Sequence, residues 1–322
     1  MNRWLNQEIL SKIILVGGSG YIGTKLTEIL YYETDYNLVI IDRLDFKLNP
    51  DFRKKFYEDK RIQFFQHDMR DTEFLNEIIF SNDIVINLAA LVGEPLCKLK
   101  PEEAVSVNFD AAVNLANICK EKKVDKLIQL STCSNYGQAK ESVNEDGELH
   151  PTSLYAETKV DLEKYLLENI PNSIILRCAT AYGVSQGRMR FDLLLSDFIK
   201  EAWLDKKISV YMPQVHRPIV HIYDISQAIK KVIESKNLQF QVFNVGSNDQ
   251  NYTKKEIAEK VANSLNVNLE IVEREDKRDY VVNFDRIYNE LDFIPKYKID
   301  FGVSEMIDIL KDGKFDLEQA NV

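Results

Sequence analysis

Tyr155 and Lys159 stand four residues apart in SLYAETKVDLEKYLLE, a stretch whose apolar spacing predicts a helix. Positions i and i+4 share a helix face, so a phenol and an ammonium can enter one site together. A phenol of pKa about 10 is a poor base near neutrality. A neighbouring cation favours phenolate, and Tyr155 could then take a proton from a substrate. A second group, STCSNYG at Ser131–Gly137, follows the apolar run Lys126–Leu130 directly. It reads as a strand end that displays hydroxyls and a thiol, and it poses the question of which chemistry Cys133 and Ser134 permit.

The third constellation is a glycine loop. The strand-like KIILV runs into Gly17-Gly18-Ser19-Gly20-Tyr21-Ile22-Gly23, and a helix pattern follows. Glycine at 17, 20 and 23 suits a tight turn, close backbone approach to a pyrophosphate and close helix–strand packing. The helix N-terminus adds free N–H groups and partial positive charge. The next strand pattern, NLVII, ends in Asp42, about 20 residues beyond Gly23 and so at the spacing of a ribose-binding acid. A carboxylate there accepts from the 2′- and 3′-hydroxyls and repels a 2′-phosphate, which predicts NAD as cofactor; Arg43 beside it works the other way.

These motifs need a scaffold. Six β-rich runs from Lys12–Val16 to Ile174–Arg177 alternate with helix patterns that include Tyr21–Tyr32, Pro101–Lys120 and Ser153–Glu168. Near-continuous apolar strands in a βαβα order predict an α/β fold: a Rossmann-type doubly wound parallel sheet covered on both faces. The pattern loosens after Ala179. We therefore expect an NAD-binding domain over 1–178 plus about 219–246, and a smaller C-terminal substrate-binding lobe over 179–218 and 247–322.

Composition narrows the function classes. The formal net charge of the 322-residue chain is −10 and its basic residues are dispersed, which predicts no nucleic-acid partner. No apolar run is long enough for a membrane span, and MNRWLNQEILSK lacks a signal-peptide core. Four cysteines without CxxC spacing point to the cytoplasm, and no HExxH or similar pattern predicts a metal. Met1–Ser11 suggests no role.

In this order, GGSGYIG, Asp42, HDMRD, NLAA, STCSNYG, YAETK and RCATAYG resemble the extended short-chain dehydrogenase/reductase family, in its NAD-dependent nucleotide-sugar epimerase/dehydratase branch. The resemblance covers about residues 11–300, with GRMRFDLL, QVHRPIVHIYD and Arg278-Asp279-Tyr280 as later matches. It implies that Gly17, Gly20, Tyr21, Ile22 and Gly23 hold the pyrophosphate and Asp42 the adenosine ribose. Asp68 and Met69 would line the adenine pocket, and Leu88, Ala89 and Ala90 would pass along the cofactor. Thr132 would hydrogen-bond the reacting sugar hydroxyl, Tyr155 would be the general base, and Lys159 would hold the nicotinamide ribose. Val92 and Gly93 would border the sugar with Ser134, while Arg188, Arg190, Arg217 and Arg278 would clamp the nucleotide diphosphate. His221 would buttress a strand. A homodimer through the helices Pro101–Lys120 and Ser153–Glu168 is also implied.

The same resemblance frames the reaction. A 4,6-dehydratase carries an Asp-Glu pair directly after its catalytic Thr; here Cys133 and Ser134 stand there, and neither replaces a carboxylic acid. A 3,5-epimerase/reductase would use a Cys/His pair and NADPH, which Asp42 opposes. The expectation is oxidation at C4 of a nucleotide hexose or heptose in surface-polysaccharide sugar biosynthesis, as a 4-dehydrogenase (possible types include the GDP-heptose 4-dehydrogenase) or a 4-epimerase. A non-catalytic NAD-binding regulator on this fold would be expected to lack Tyr155 or Lys159, and both are present.

Overall fold

The computed structural model describes residues 12–139, 141–274, 276, 278–313 and 317, so Met1–Ser11 lies outside the described residues. Seven strands form one parallel sheet: β1 (Ile13–Val16), β2 (Leu38–Asp42), β3 (Ile62–Gln66), β4 (Ile84–Asn87), β5 (Lys126–Thr132), β6 (Ser173–Cys178) and, after three strands of the lobe, β10 (Val242–Val245). Those three are β7 (Thr180–Tyr182), β8 (Lys207–Val210) and β9 (His216–His221), and the chain ends its strands with β11 (Asn251–Thr253) and β12 (Asn268–Ile271). The spatial order in the large sheet is β3-β2-β1-β4-β5-β6-β10. The order reverses between β1 and β4, where Val16 pairs with Asn87 and, on its other side, with Ile41. In such a sheet the crevice at the carboxyl ends beside the reversal is where ligands bind.

Every residue of β1, β4 and β6 is buried, which accounts for the apolar run of β1 and the largely apolar β4 and β6, whose polar members are Asn87, Ser173 and Arg177. Side chains alternate across the sheet. Ile13, Leu15, Ile40 and Ile128 meet Leu26 and Leu30 of the helix Tyr21–Glu33 and Ile225 and Ile229 of the helix Ile222–Glu234. Ile14, Val39, Val85 and Leu127 meet Leu115 of the helix Ala112–Lys122 and Leu162 and Leu166 of the helix Leu154–Asn169. A third core, with Met189, Phe191, Phe198, Val210, Ile257 and Met306, fills the lobe. There β7 pairs parallel to β9 and β9 antiparallel to β11, while β8 pairs parallel to β12.

Three local readings differ from the sequence pattern. The stretch expected as one helix over Pro101–Lys120 is interrupted by a π-helical turn at Ser106–Ala111, where Asn108 turns its buried amide onto the backbone of Leu91. Pro50–Tyr57, Glu94–Leu99, Asp285–Leu291 and Ile299–Lys311 are further helices. The first was signalled by Asn49, whose side chain caps it ahead of Pro50 at the first position. Finally, Tyr280, Val282, Phe284, Ile287 and Phe293 return to the core beneath the large sheet with Phe243 and Val245, although the sequence placed 247–322 in the lobe.

Candidate active site

A cleft of about 650 Å³ opens at the carboxyl ends of the strands and runs from the glycine loop to the lobe. At Gly17 the backbone adopts φ +81°, and a Cβ there would stand 2.6 Å from the amide nitrogen of Ala89. Gly23 lies so close to Gly18 that a Cβ would meet its carbonyl oxygen at 2.6 Å. Gly20 caps the helix Tyr21–Glu33 without a side chain, so its first-turn N–H groups stay available to an anion in the cleft. Tyr21 offers backbone only, because its buried hydroxyl donates to the Gly183 carbonyl at 2.6 Å.

Asp42 lines the cleft at the end of β2. Its two oxygens accept from Ser19 N at 2.9 Å and Leu44 N at 2.8 Å, which fixes the carboxylate against the glycine loop. Burial raises its pKa, while those two amides and the charge of Arg188 lower it in turn. Arg43 is spent on carboxylates: it pairs with Asp45, with Asp68 at 3.2 Å and with Glu103 at 3.0 Å. Burial works against the charge of Asp68, yet Arg70 and Arg43 outweigh it and hold that carboxyl at about 2. Met69, Leu88, Ala89 and Ala90 continue the wall. A side-chain-free cradle, an uncapped helix start and a fixed carboxylate fit the pyrophosphate and ribose of NAD.

The other end of the cleft is built on β5 and the helix Leu154–Asn169. Ser153 caps that helix, accepting from Ala156 N at 3.3 Å, and so sets Tyr155 in the first turn facing the cleft. Lys159, 4% exposed, donates from Nζ to the Leu130 carbonyl at 3.1 Å. Burial lowers its pKa to about 8 against the opposing pull of Glu163. Burial also pushes the Tyr155 phenol well up, and the cation that opposes this is Arg190. The sequence expected Lys159 to favour the phenolate; desolvation is the larger effect at Tyr155. Thr132 lines the cleft and its Oγ1 accepts from Ser134 N at 3.1 Å. Ser134 also lines it, with Oγ 3.3 Å from the Tyr280 hydroxyl. Cys133 is 1% exposed, donates to the Arg177 carbonyl at 3.2 Å and has its pKa driven far up by burial.

Beneath these groups lies a buried polar layer that the sequence reading missed. Glu163 accepts from Arg177 Nη2 at 2.7 Å and Nε at 2.9 Å, from Asn135 at 2.8 Å, and from Ser131. Arg177 donates onward to the Tyr136 hydroxyl at 3.0 Å and the Glu145 carbonyl at 3.1 Å. The signal was present: Glu163 lies four residues beyond Lys159, on the same face.

The four arginines do not converge. Arg190 and Arg278 line the cleft, each tied to a carboxylate: Arg190 Nε to Asp192 at 3.0 Å and Arg278 Nε to Asp276 at 2.9 Å. Arg217 is 3% exposed and does not line the cleft; it pairs with Asp276 at 2.6 Å and donates to the Arg278 carbonyl at 2.6 Å, holding Arg278 from behind. Arg188 sits at the cofactor end, its guanidinium 3.8 Å from the centroid of the Phe46 ring and within the field of Asp42. Val92, Gly93 and Glu94 border the cleft. His221, 2% exposed, reaches Glu305 at 2.9 Å and ties β9 to the helix Ile299–Lys311.

Comparison with known proteins places this site in context. The family model described as the NAD dependent epimerase/dehydratase family matches residues 13–246. Among curated relatives, the uncharacterized UDP-glucose epimerase YtcB of Bacillus subtilis is 28% identical over 248 residues, 73% of this chain and 76% of the relative. Protein CapI of Staphylococcus aureus is 26% identical over 331 residues, 92% and 97% of the two chains. Among solved structures, UDP-glucuronic acid 4-epimerase from Bacillus cereus, with UDP-glucuronic acid and NAD, superposes with TM-score 0.82 at 24% identity, covering 94% of this chain and 99% of that one. The dTDP-glucose 4,6-dehydratase of Bacillus anthracis, with NAD, gives 0.80 at 23% identity over 95% and 98%. At these identities the structural likeness is one of fold.

Proposed function

Because the chain belongs to the NAD-dependent epimerase/dehydratase family, and similar proteins carry the names of nucleotide-sugar epimerases and dehydratases, we propose that it oxidises a nucleotide-linked hexose or heptose at C4 without eliminating water. It then either releases the ketosugar or returns it as the C4 epimer. Epimerases and dehydratases both stand among the similar proteins, so the choice between them rests on residues. The observation that carries it is the pair after Thr132. Cys133 is buried away from the cleft with a strongly raised pKa, and Ser134 is no acid, so the groups that a dehydratase needs to expel a hydroxyl are missing from that place.

In this reading Thr132 and Tyr155 hold the sugar C4 hydroxyl, and Tyr155 takes its proton as the C4–H bond gives up its electron pair and a carbonyl forms. When bound, NAD supplies the two-electron acceptor and the positive charge of its nicotinamide. Lys159 holds the ribose hydroxyls beside Tyr155. Asp42 and the glycine loop fix the adenosine half, and Arg278, braced by Arg217 and Asp276, meets the diphosphate of the sugar nucleotide. A role in surface-polysaccharide sugar biosynthesis belongs to the same proposal. The test is incubation of the purified protein with NAD and a panel of nucleotide hexoses and heptoses, with absorbance at the NADH wavelength and product mass as readouts. A ketosugar two hydrogens lighter, or an epimer of equal mass, supports it; loss of water overturns it.

A further inference from the structure

We propose that Glu103 and Asp45 are cofactor-specificity residues: they occupy the terminal nitrogens of Arg43, so that an arginine placed to receive a 2′-phosphate is closed to NADP. The proposal rests on NAD being the cofactor of the cleft and not on the reaction at the sugar.

Arg43 directly follows Asp42, and both line the cleft. An arginine near the ribose-binding acid is the group that accommodates a 2′-phosphate, and it grips phosphate through paired N–H donors. In this chain carboxylates reach both terminal nitrogens. Nη1 donates to Glu103 Oε1 at 3.0 Å and to Asp68 Oδ2 at 3.2 Å, while Nη2 pairs with Asp45. The three carboxylates come from separate places: Asp45 follows β2, Asp68 follows β3, and Glu103 lies on the helix Pro101–Val105. All three line the cleft with Arg43. The main chain beneath them is held, because His67 N donates to the Asp42 carbonyl at 3.1 Å and Gln66 Nε2 to the Arg43 carbonyl at 3.3 Å.

Two observations set this cluster apart from plain support of the fold. The four side chains are a quarter to nearly a half exposed, and ion pairs that wet add little to stability. Asp68 and Glu103 also have cations of their own, Arg70 at 2.6 Å and Lys100 at 3.3 Å, so Arg43 is not needed to neutralise them. What the cluster does change is the welcome given to a further anion. A 2′-phosphate would have to displace carboxylates from Arg43 and then stand among them, whereas the 2′-hydroxyl of NAD meets no such penalty.

The test reads cofactor binding, not turnover. Wild-type protein, Asp45→Asn, Glu103→Gln, the double variant, and the double variant with Arg43→Ala are each titrated with NAD and with NADP by calorimetry. Freeing the charge-assisted donors of Arg43 should tighten NADP binding at least about 10-fold in the double variant, with NAD affinity within about twofold of wild type. Each single variant should give part of that gain, and Arg43→Ala should abolish it. An unchanged NADP affinity in the double variant overturns the proposal. So does a gain that persists with Arg43→Ala, or one shared equally by NAD, since either would reflect only the general charge of the cleft. If the double variant fails to fold, the single variants decide the question on the same readouts. A wild type that binds neither dinucleotide would instead sink the NAD reading on which the proposal rests, and the proposal with it.

Discussion

At the scale of single residues, burial sets Tyr155 and Lys159 against their own charged forms, the phenol pushed up and the ammonium pulled down to about 8. Replacing Tyr155 by Phe removes the proton acceptor and should lower kcat at least about 100-fold, with NAD affinity retained; stopped-flow absorbance at the NADH wavelength and calorimetry separate the two. A non-catalytic NAD-binding protein would show no such loss. Lys159 gives a stability prediction whose sign follows from its depressed pKa. Above the unfolded value near 10.5 the amine is neutral in both states and folding carries no penalty. As pH falls toward 8 the unfolded chain gains the proton first, and the wild type loses stability. Lys159→Met should therefore be more stable than wild type near pH 7, by up to about 3 kcal/mol less about 1 kcal/mol for the lost bond to Leu130. The difference should shrink as pH rises toward 10.5, and urea unfolding at several pH values measures it. Activity should be lost in the same variant.

At the scale of elements, β5, β6 and the helix Leu154–Asn169 act as one unit because Glu163 and Arg177 join them, with side chains 2% and 5% exposed. Breaking such a buried pair leaves a charge without its partner. Glu163→Gln should cost roughly 3–5 kcal/mol, read as a fall in the urea midpoint. It also takes away the charge that supports the Lys159 ammonium, so the Lys159 pKa should fall further. A denaturation curve indistinguishable from wild type would contradict this account. The sequence showed both residues plainly, but the pairing was not legible. Glu163 follows from helical period, whereas Arg177 reaches it only because β6 lies beside β5 in the folded sheet.

At the scale of the whole molecule, the helices that flank Asn108 and the helix Leu154–Asn169 cover one face of the sheet and keep apolar side chains outward. Val105 is 37% exposed and Leu167 43%. The family resemblance carries an expectation of a homodimer through these helices. Sedimentation should give twice the 37.3 kDa chain mass, and Val105→Glu with Leu167→Glu should shift it to one chain. A monomeric wild type would sink that expectation. Among the described residues no helix is long and apolar enough to cross a membrane.

The sequence by itself determined the parallel sheet, the glycine loop and the Tyr155–Lys159 face, because each rests on local spacing: strand alternation, a turn that only glycine fits, and a four-residue helical step. Tertiary structure alone decided the fate of the arginines. Arg188, Arg190, Arg217 and Arg278 look alike in sequence, yet Arg217 is buried behind Arg278 and Arg188 lies against Phe46. Their long side chains take the role of whichever carboxylate or ring they meet, and those partners come from distant parts of the chain. Asp276 and Phe46 could be read as letters, but their neighbours could not. Likewise the thiol of Cys133 was visible in STCSNYG, and only the packing of β5 against β6 turned it away from the cleft.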